Sequence, residues 1–184
     1  RSGEIDLAFC SSPPPDDATL EFKELFKYNI VLMAPPGHEL LNSGPVGLED
    51  IASFPLILPA PESQLRQRVE QAFKNHGLNP DVVLALDDME SMKRYVEIGL
   101  GIGVGSDFTL HSEDHNRFGV LRLDHLFPSS VIGVCTLRGK FAGQAVRNFI
   151  EMMSDQIRGF HAELWSKEEN EAMFRLSQVG SRDY

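Results

Sequence analysis

Between Asp81 and Gly105 the chain reads DVVLALDDMESMKRYVEIGLGIGVG, and the order of residue types there leaves few folds open. Val82-Val83-Leu84-Ala85-Leu86 is an apolar run of strand length, β-branched at its start. Asp87 stands three residues before Glu90, the spacing of a capping box, which predicts that a helix begins there. Met89, Met92, Val96 and Gly99 recur at intervals of three and four, giving that helix one apolar or small face. Gly99 is suited to end it, because glycine enters the left-handed conformation without a Cβ penalty. Leu100–Gly105 is then a second apolar run with little side-chain bulk. Strand, helix and strand in that order form a right-handed crossover onto a parallel sheet.

The preceding residues extend the pattern. Pro55-Leu56-Ile57-Leu58 reads as a buried strand, and Ser63 is a good N-cap for a helix that turns Leu65, Val69, Ala72 and Phe73 inward and closes at Gly77. Residues 55–105 are therefore predicted to be β-α-β-α-β, with three parallel strands. Outside them, residues 20–33 alternate well enough for one long strand, Ala34–His38 turn the chain, and Val46–Ile51 suit a short surface helix. Phe118–Leu123 and Val131–Leu137 read as two more strands. Val146, Phe149, Ile150, Met153, Ile157 and Phe160 line a long amphipathic helix, and Ser166-Lys-Glu-Glu169 opens a final short one through Phe174. Three prolines make Ser11–Asp17 a loop. Gly3–Phe9 reads as a buried strand with nothing upstream in this chain to pair with it, so a fragment of a longer protein is expected.

The fold class implied is α/β, with two lobes joined by two connecting strands. Residues 34–106 make the second lobe; residues 1–33 and 107–184 make a partial first lobe, with the connecting strands and the C-terminal helices. The 184 residues are 42% hydrophobic and 24% charged, the balance of a globular chain. No apolar run reaches the ~20 residues of a membrane helix. A formal charge of −10 disfavours a nucleic-acid surface on these residues. Cys10 and Cys135 lie in apolar runs and read as two buried thiols, with a single disulfide left open.

Catalytic chemistry finds little support. Gly99-Leu-Gly-Ile-Gly-Val-Gly105 is out of register for a dinucleotide fingerprint and follows its helix instead of preceding it, so close packing of a small-residue strand is expected. His111 and His115, with Glu113 and Asp114 between them, lack a third ligand set by spacing and read as a polar loop. No nucleophile and base stand together. No catalytic residue, metal ligand or cofactor site is assigned. Two helix N-termini say more. Ser63-Gln64 puts neutral hydroxyl and amide groups beside backbone N–H groups, a fit for a small anion or carboxylate. Asp87-Asp88 places negative charge at the other terminus, which repels an anion or pairs with an ammonium group.

Several stretches, in order, resemble the effector-binding domain of LysR-type transcriptional regulators: Gly3-Glu-Ile-Asp-Leu-Ala-Phe9; Ile30-Val-Leu-Met-Ala-Pro35 running into Gly37-His-Glu-Leu40; Val46-Gly-Leu-Glu-Asp-Ile51 before Phe54-Pro-Leu-Ile57; Arg66, Phe73, Gly77 and Pro80; and Val96-Glu-Ile-Gly-Leu-Gly-Ile102. The resemblance implies two Rossmann-like lobes of the type 2 periplasmic-binding-protein kind, with an inducer in the cleft between them. It further implies a cytoplasmic protein that assembles as a dimer or tetramer, binds DNA through an upstream winged helix-turn-helix, contacts RNA polymerase and has no membrane part. Ser166–Phe174 and Met92–Val96 are similar to the cysteine-biosynthesis regulators, whose effectors include sulfate and acetylated serines. In that comparison Ser11, Tyr28 and Gln64 match positions that contact the effector. With Ser63 they form the expected ligand-binding set. Family members often have a proline after the Gly-Leu-Gly-Ile strand, where this chain has Gly105-Ser106. A transport-type solute receptor shares the two-lobed fold and is the competing reading.

Overall fold

The computed structural model describes residues 6–11, 17–139 and 143–153. These fall into two compact units, one taking the described residues up to Tyr28 and from Ser129 onward, the other Asn29–Pro128.

The second unit is built on a five-stranded sheet. Its strands are β3 (Ile30–Ala34), β4 (Leu56–Pro59), β5 (Val82–Leu86), β6 (Ile102–Ser106) and β7 (Gly119–Arg122), in the order β5-β4-β6-β3-β7. β5, β4 and β6 are parallel, with Leu56 opposite both Val82 and Ile102, while β3 runs antiparallel to β6 and β7. Helices α2 (Gln64–Asn75) and α3 (Met89–Glu97) make the two crossovers, so residues 55–105 form the expected β-α-β-α-β. Every residue of β3 and β6 is buried. α2 contributes Val69 and Phe73 to the core that Ile30, Leu32, Leu56, Leu58, Ile102 and Val104 build from the sheet. The small helix α1 (Leu48–Ala52) buries Leu48 and Ile51 in the same core.

The small residues of β6 have a steric reason. A Cβ at Gly101, just ahead of the strand, would lie 2.5 Å from the Pro55 carbonyl oxygen, and one at Gly103 would lie 2.8 Å from Val96 Cγ2 and 3.2 Å from Met33 Cε. Bare backbone at Gly103 lets α3 settle against the sheet, and at Gly101 it lets the chain pass close to Pro55, which is the packing role expected of the glycine run. Gly77 and Gly99, which follow the two helices, have φ of 68° and 80°, values that favour glycine.

The first unit holds a three-stranded antiparallel sheet in the order β1-β8-β2, from β1 (Ala8–Cys10), β2 (Leu20–Tyr28) and β8 (Ser130–Leu137). Its strands are mostly half-buried. Helical residues 144–153 follow, and Phe149 meets Phe9 edge-on with ring centroids 6.0 Å apart. The upstream part of the strand expected from Gly3, the proline loop, the helix beyond Met153 and the capping box at Ser166 lie outside the described residues.

The strand expected over residues 20–33 is instead two strands in two sheets. The break falls at Asn29, whose backbone N–H and side-chain Nδ2 donate to Asp107 Oδ1 and Oδ2, both at 3.0 Å. Asp107 N donates back to the Asn29 carbonyl at 3.0 Å, and Asp107 is 2% exposed. These three bonds fix the start of β3 against the end of β6, and β2 pairs with β8 instead.

Candidate functional site

β4 is the central strand of the parallel trio. From its carboxyl end the chain turns toward β5, whereas from the end of β6 it continues toward β7 on the far side. The connections from β4 and β6 thus leave in opposite directions across the sheet, and such a switch point is where open α/β sheets receive ligands. Residues 60–63 connect β4 to α2 at that place. Ala60 N donates to Leu86 O and Ser63 N to Ala60 O, each at 3.0 Å. Ser63 Oγ accepts from Arg66 N at 3.0 Å, so Ser63 is the N-cap expected from the sequence. The intrahelical bonds begin with Gln67 N donating to Ser63 O at 3.1 Å. The helix dipole makes this end electropositive. The first turn of α2 has no acidic residue. Gln64 is exposed and Ser63 half-buried.

Ser11 and Tyr28 belong to the other unit. β1 and β2 flank β8, with Cys10 opposite Gly133 and Tyr28 opposite Ser130. Ser11, directly after Cys10, and Tyr28 therefore lie toward the same end of the three-stranded sheet. Tyr28 is 5% exposed and Ser11 half-buried. The structure thus brings Ser63 and Gln64 together at one helix terminus, and Ser11 and Tyr28 together at one sheet end.

The second helix start differs from expectation by one residue. The cap of α3 is Asp88, not Asp87: its carboxylate accepts from Glu90 N at 3.3 Å and from Ser91 N at 2.8 Å. The Ser91 hydrogen bonds hold the Asp88 carboxyl below its ordinary value. This terminus already carries its anion, and Glu90 adds another in the first turn. The contrast with α2 is chemical: one helix start is capped by a carboxylate, the other by a neutral hydroxyl.

An ion cluster that sequence reading missed ties α3 to the polar segment after β6. Lys93 is fully buried, and its ammonium donates to Glu90 Oε1 at 2.6 Å and pairs with Asp114 Oδ2 at 2.7 Å. Asp114, 2% exposed, also accepts from His111 N at 2.9 Å and from Arg117 Nη1 at 2.9 Å. Burial pushes the Asp114 carboxyl upward, but the Lys93 and His111 hydrogen bonds and the Lys93 and Arg117 charges outweigh it and leave it below its ordinary value. Lys93 lies four residues after Met89 and next to Met92, on the apolar side of the helix; that position was the available signal. The segment read as a polar loop is a short 3-10 turn (Ser112–Asn116) held by this cluster. Among the described residues no group of three His, Cys, Asp or Glu side chains is placed to hold a metal ion. Cys10 and Cys135 are free thiols; Cys135 is buried and Cys10 half-buried. Among the described residues no helix is long and apolar enough to cross a membrane.

Residues 1–158 match the family described as LysR substrate binding domain. The chain belongs to this LysR family. It is 32% identical over 151 residues to the HTH-type transcriptional regulator CysB of Burkholderia cenocepacia, covering 82% of this chain and 48% of that protein. The regulator cbl of Klebsiella aerogenes is 32% identical over 152 residues, covering 83% of this chain and 48% of the relative. The chain thus spans about half the length of these relatives. Among solved structures, the cofactor-binding domain of the Cbl transcriptional regulator superposes with a TM-score of 0.71 at 31% identity, over 82% of this chain and 66% of that one. The regulatory domain of CcmR from Synechocystis, solved in complex with 2-PG, gives 0.70 at 26% identity, over 84% of this chain and 74% of that one. As a LysR domain, the chain has the two-lobed, type 2 periplasmic-binding-protein-like fold, and its relatives are regulators, not enzymes.

Proposed function

We propose that this LysR domain senses a small anionic metabolite and, within a longer regulator, changes how DNA is held and transcribed. The observation that carries the reading is the N-terminus of α2 at the switch point of the parallel strands, whose first turn holds no acid, with Ser63 and Gln64 on it. Ser63 and Gln64 donate hydrogen bonds to the anion, and Ser11 and Tyr28 stay in the ligand-binding set that the family resemblance implies. Kinship with CysB and cbl favours sulfate or an acetylated serine as the effector class, and a regulator over a transport-type solute receptor. DNA contact through a winged helix-turn-helix, self-association to a dimer or tetramer, contact with RNA polymerase and a cytoplasmic location are parts of the same proposal. Effector binding acts by preferring one arrangement of the protein over another.

Thermal-shift titration of the full-length protein against sulfate, acetylated serines and aromatic carboxylates tests this. A ligand at 100 times its Kd stabilises the native state by about 2.7 kcal/mol. Stabilisation by one class, lost in Gln64→Ala, is the expected result. A response indifferent to Ser63, Gln64 and Ser11 removes the site assignment and leaves the fold untouched.

A further inference from the structure

Arg66 carries an inference that deepens this reading and rests on it. The residue is 7% exposed although it bears a permanent charge, and a core takes in such a charge only against a desolvation cost. Its hydrogen bonds are directed to the segment around the site. Nη1 donates to the Pro59 carbonyl at 3.3 Å, Nε donates to Glu70 Oε1 at 2.6 Å, and the backbone N–H donates to Ser63 Oγ at 3.0 Å. Pro59 is the last residue of β4 and Ser63 caps α2. A single residue therefore holds both ends of the loop that presents Ser63 and Gln64, and Glu70, half-exposed, balances its charge from one turn further along α2.

We propose that Arg66 is a positioning residue for anion binding at the start of α2. It does not touch the anion. It keeps residues 59–63, the loop that presents Ser63 and the start of α2, in one shape, so that binding has little left to order. Guanidinium is suited to this because its donors are fixed in a planar fork; lysine offers a point charge that cannot span both partners, and methionine offers no donor. Replacing a buried charge by an apolar side chain of similar volume often leaves stability unchanged or raised. Binding and stability should therefore separate in Arg66 variants.

The experiment compares wild type, Gln64→Ala, Arg66→Met and Arg66→Lys as full chains. The readouts are melting temperature, calorimetric titration with sulfate and with N-acetylserine, and hydrogen exchange at residues 60–67. The expected result is a melting temperature near wild type in at least one Arg66 variant, with affinity about tenfold weaker and faster exchange confined to those residues. Should Arg66→Met fold poorly, Arg66→Lys and the exchange data carry the same comparison. Affinity within twofold of wild type in a folded Arg66 variant, in a protein whose binding Gln64→Ala does weaken, overturns the role of Arg66 and leaves the site standing. Absence of binding in wild type, or binding untouched by Gln64→Ala, overturns the site and this role together.

Discussion

Lys93 has no exposed surface, and its partners Asp114 and Glu90 divide between the buried and the solvated. Removing the buried partner leaves an ammonium with one half-exposed carboxylate, so Asp114→Ala is expected to destabilise the fold by about 3 kcal/mol in urea titration. Lys93→Met is expected to cost less, because Arg117 still pairs with Asp114 at 2.9 Å. The pH dependence follows from the lowered carboxyl of Asp114. A carboxyl held lower in the folded state adds stability above its unfolded value, and that contribution is lost as pH falls through the folded value. Stability measured below about pH 4 should therefore fall less steeply in Asp114→Asn than in wild type. An equal slope in the two would remove Asp114 as the titrating group.

The packing at the start of β6 depends on side chains that are absent. Gly101→Ala sets a methyl against the Pro55 carbonyl, which is backbone and cannot rotate away, so a loss of about 1–3 kcal/mol is expected by chemical denaturation. At α2, Ser63→Ala removes the acceptor of the Arg66 N–H and should cost about 1 kcal/mol in the absence of ligand. Both helix faces were legible from spacing, because Met92, Val96, Val69 and Phe73 are all buried as expected. The cap of α3 was off by one residue, because Asp87 and Asp88 are chemically equivalent and only the path of the strand before them decides which carboxylate reaches the free N–H groups.

Across the whole molecule the buried material is unevenly shared. β3, β4 and β6 are buried through most of their length, whereas β2 alternates half-buried and exposed residues. Hydrogen exchange should accordingly be slowest at Leu32, Ile57 and Val104 and faster at Lys23 and Glu24; uniform protection across both sheets would contradict this distribution. What the sequence determined by itself was governed by local period and local chemistry. The β-α-β-α-β order, the Ser63 cap, the glycine stops and the small-residue strand follow from residues a few positions apart. What only the tertiary structure decided came from partners far along the chain. Asn29 ends one strand and begins another because Asp107, 78 residues later, meets its backbone and its side chain. Lys93 can be buried because Asp114 arrives from beyond β6. A periodicity records which face of an element is apolar; it holds no record of which distant polar group will satisfy a buried one, and that pairing exists only once the sheet has assembled.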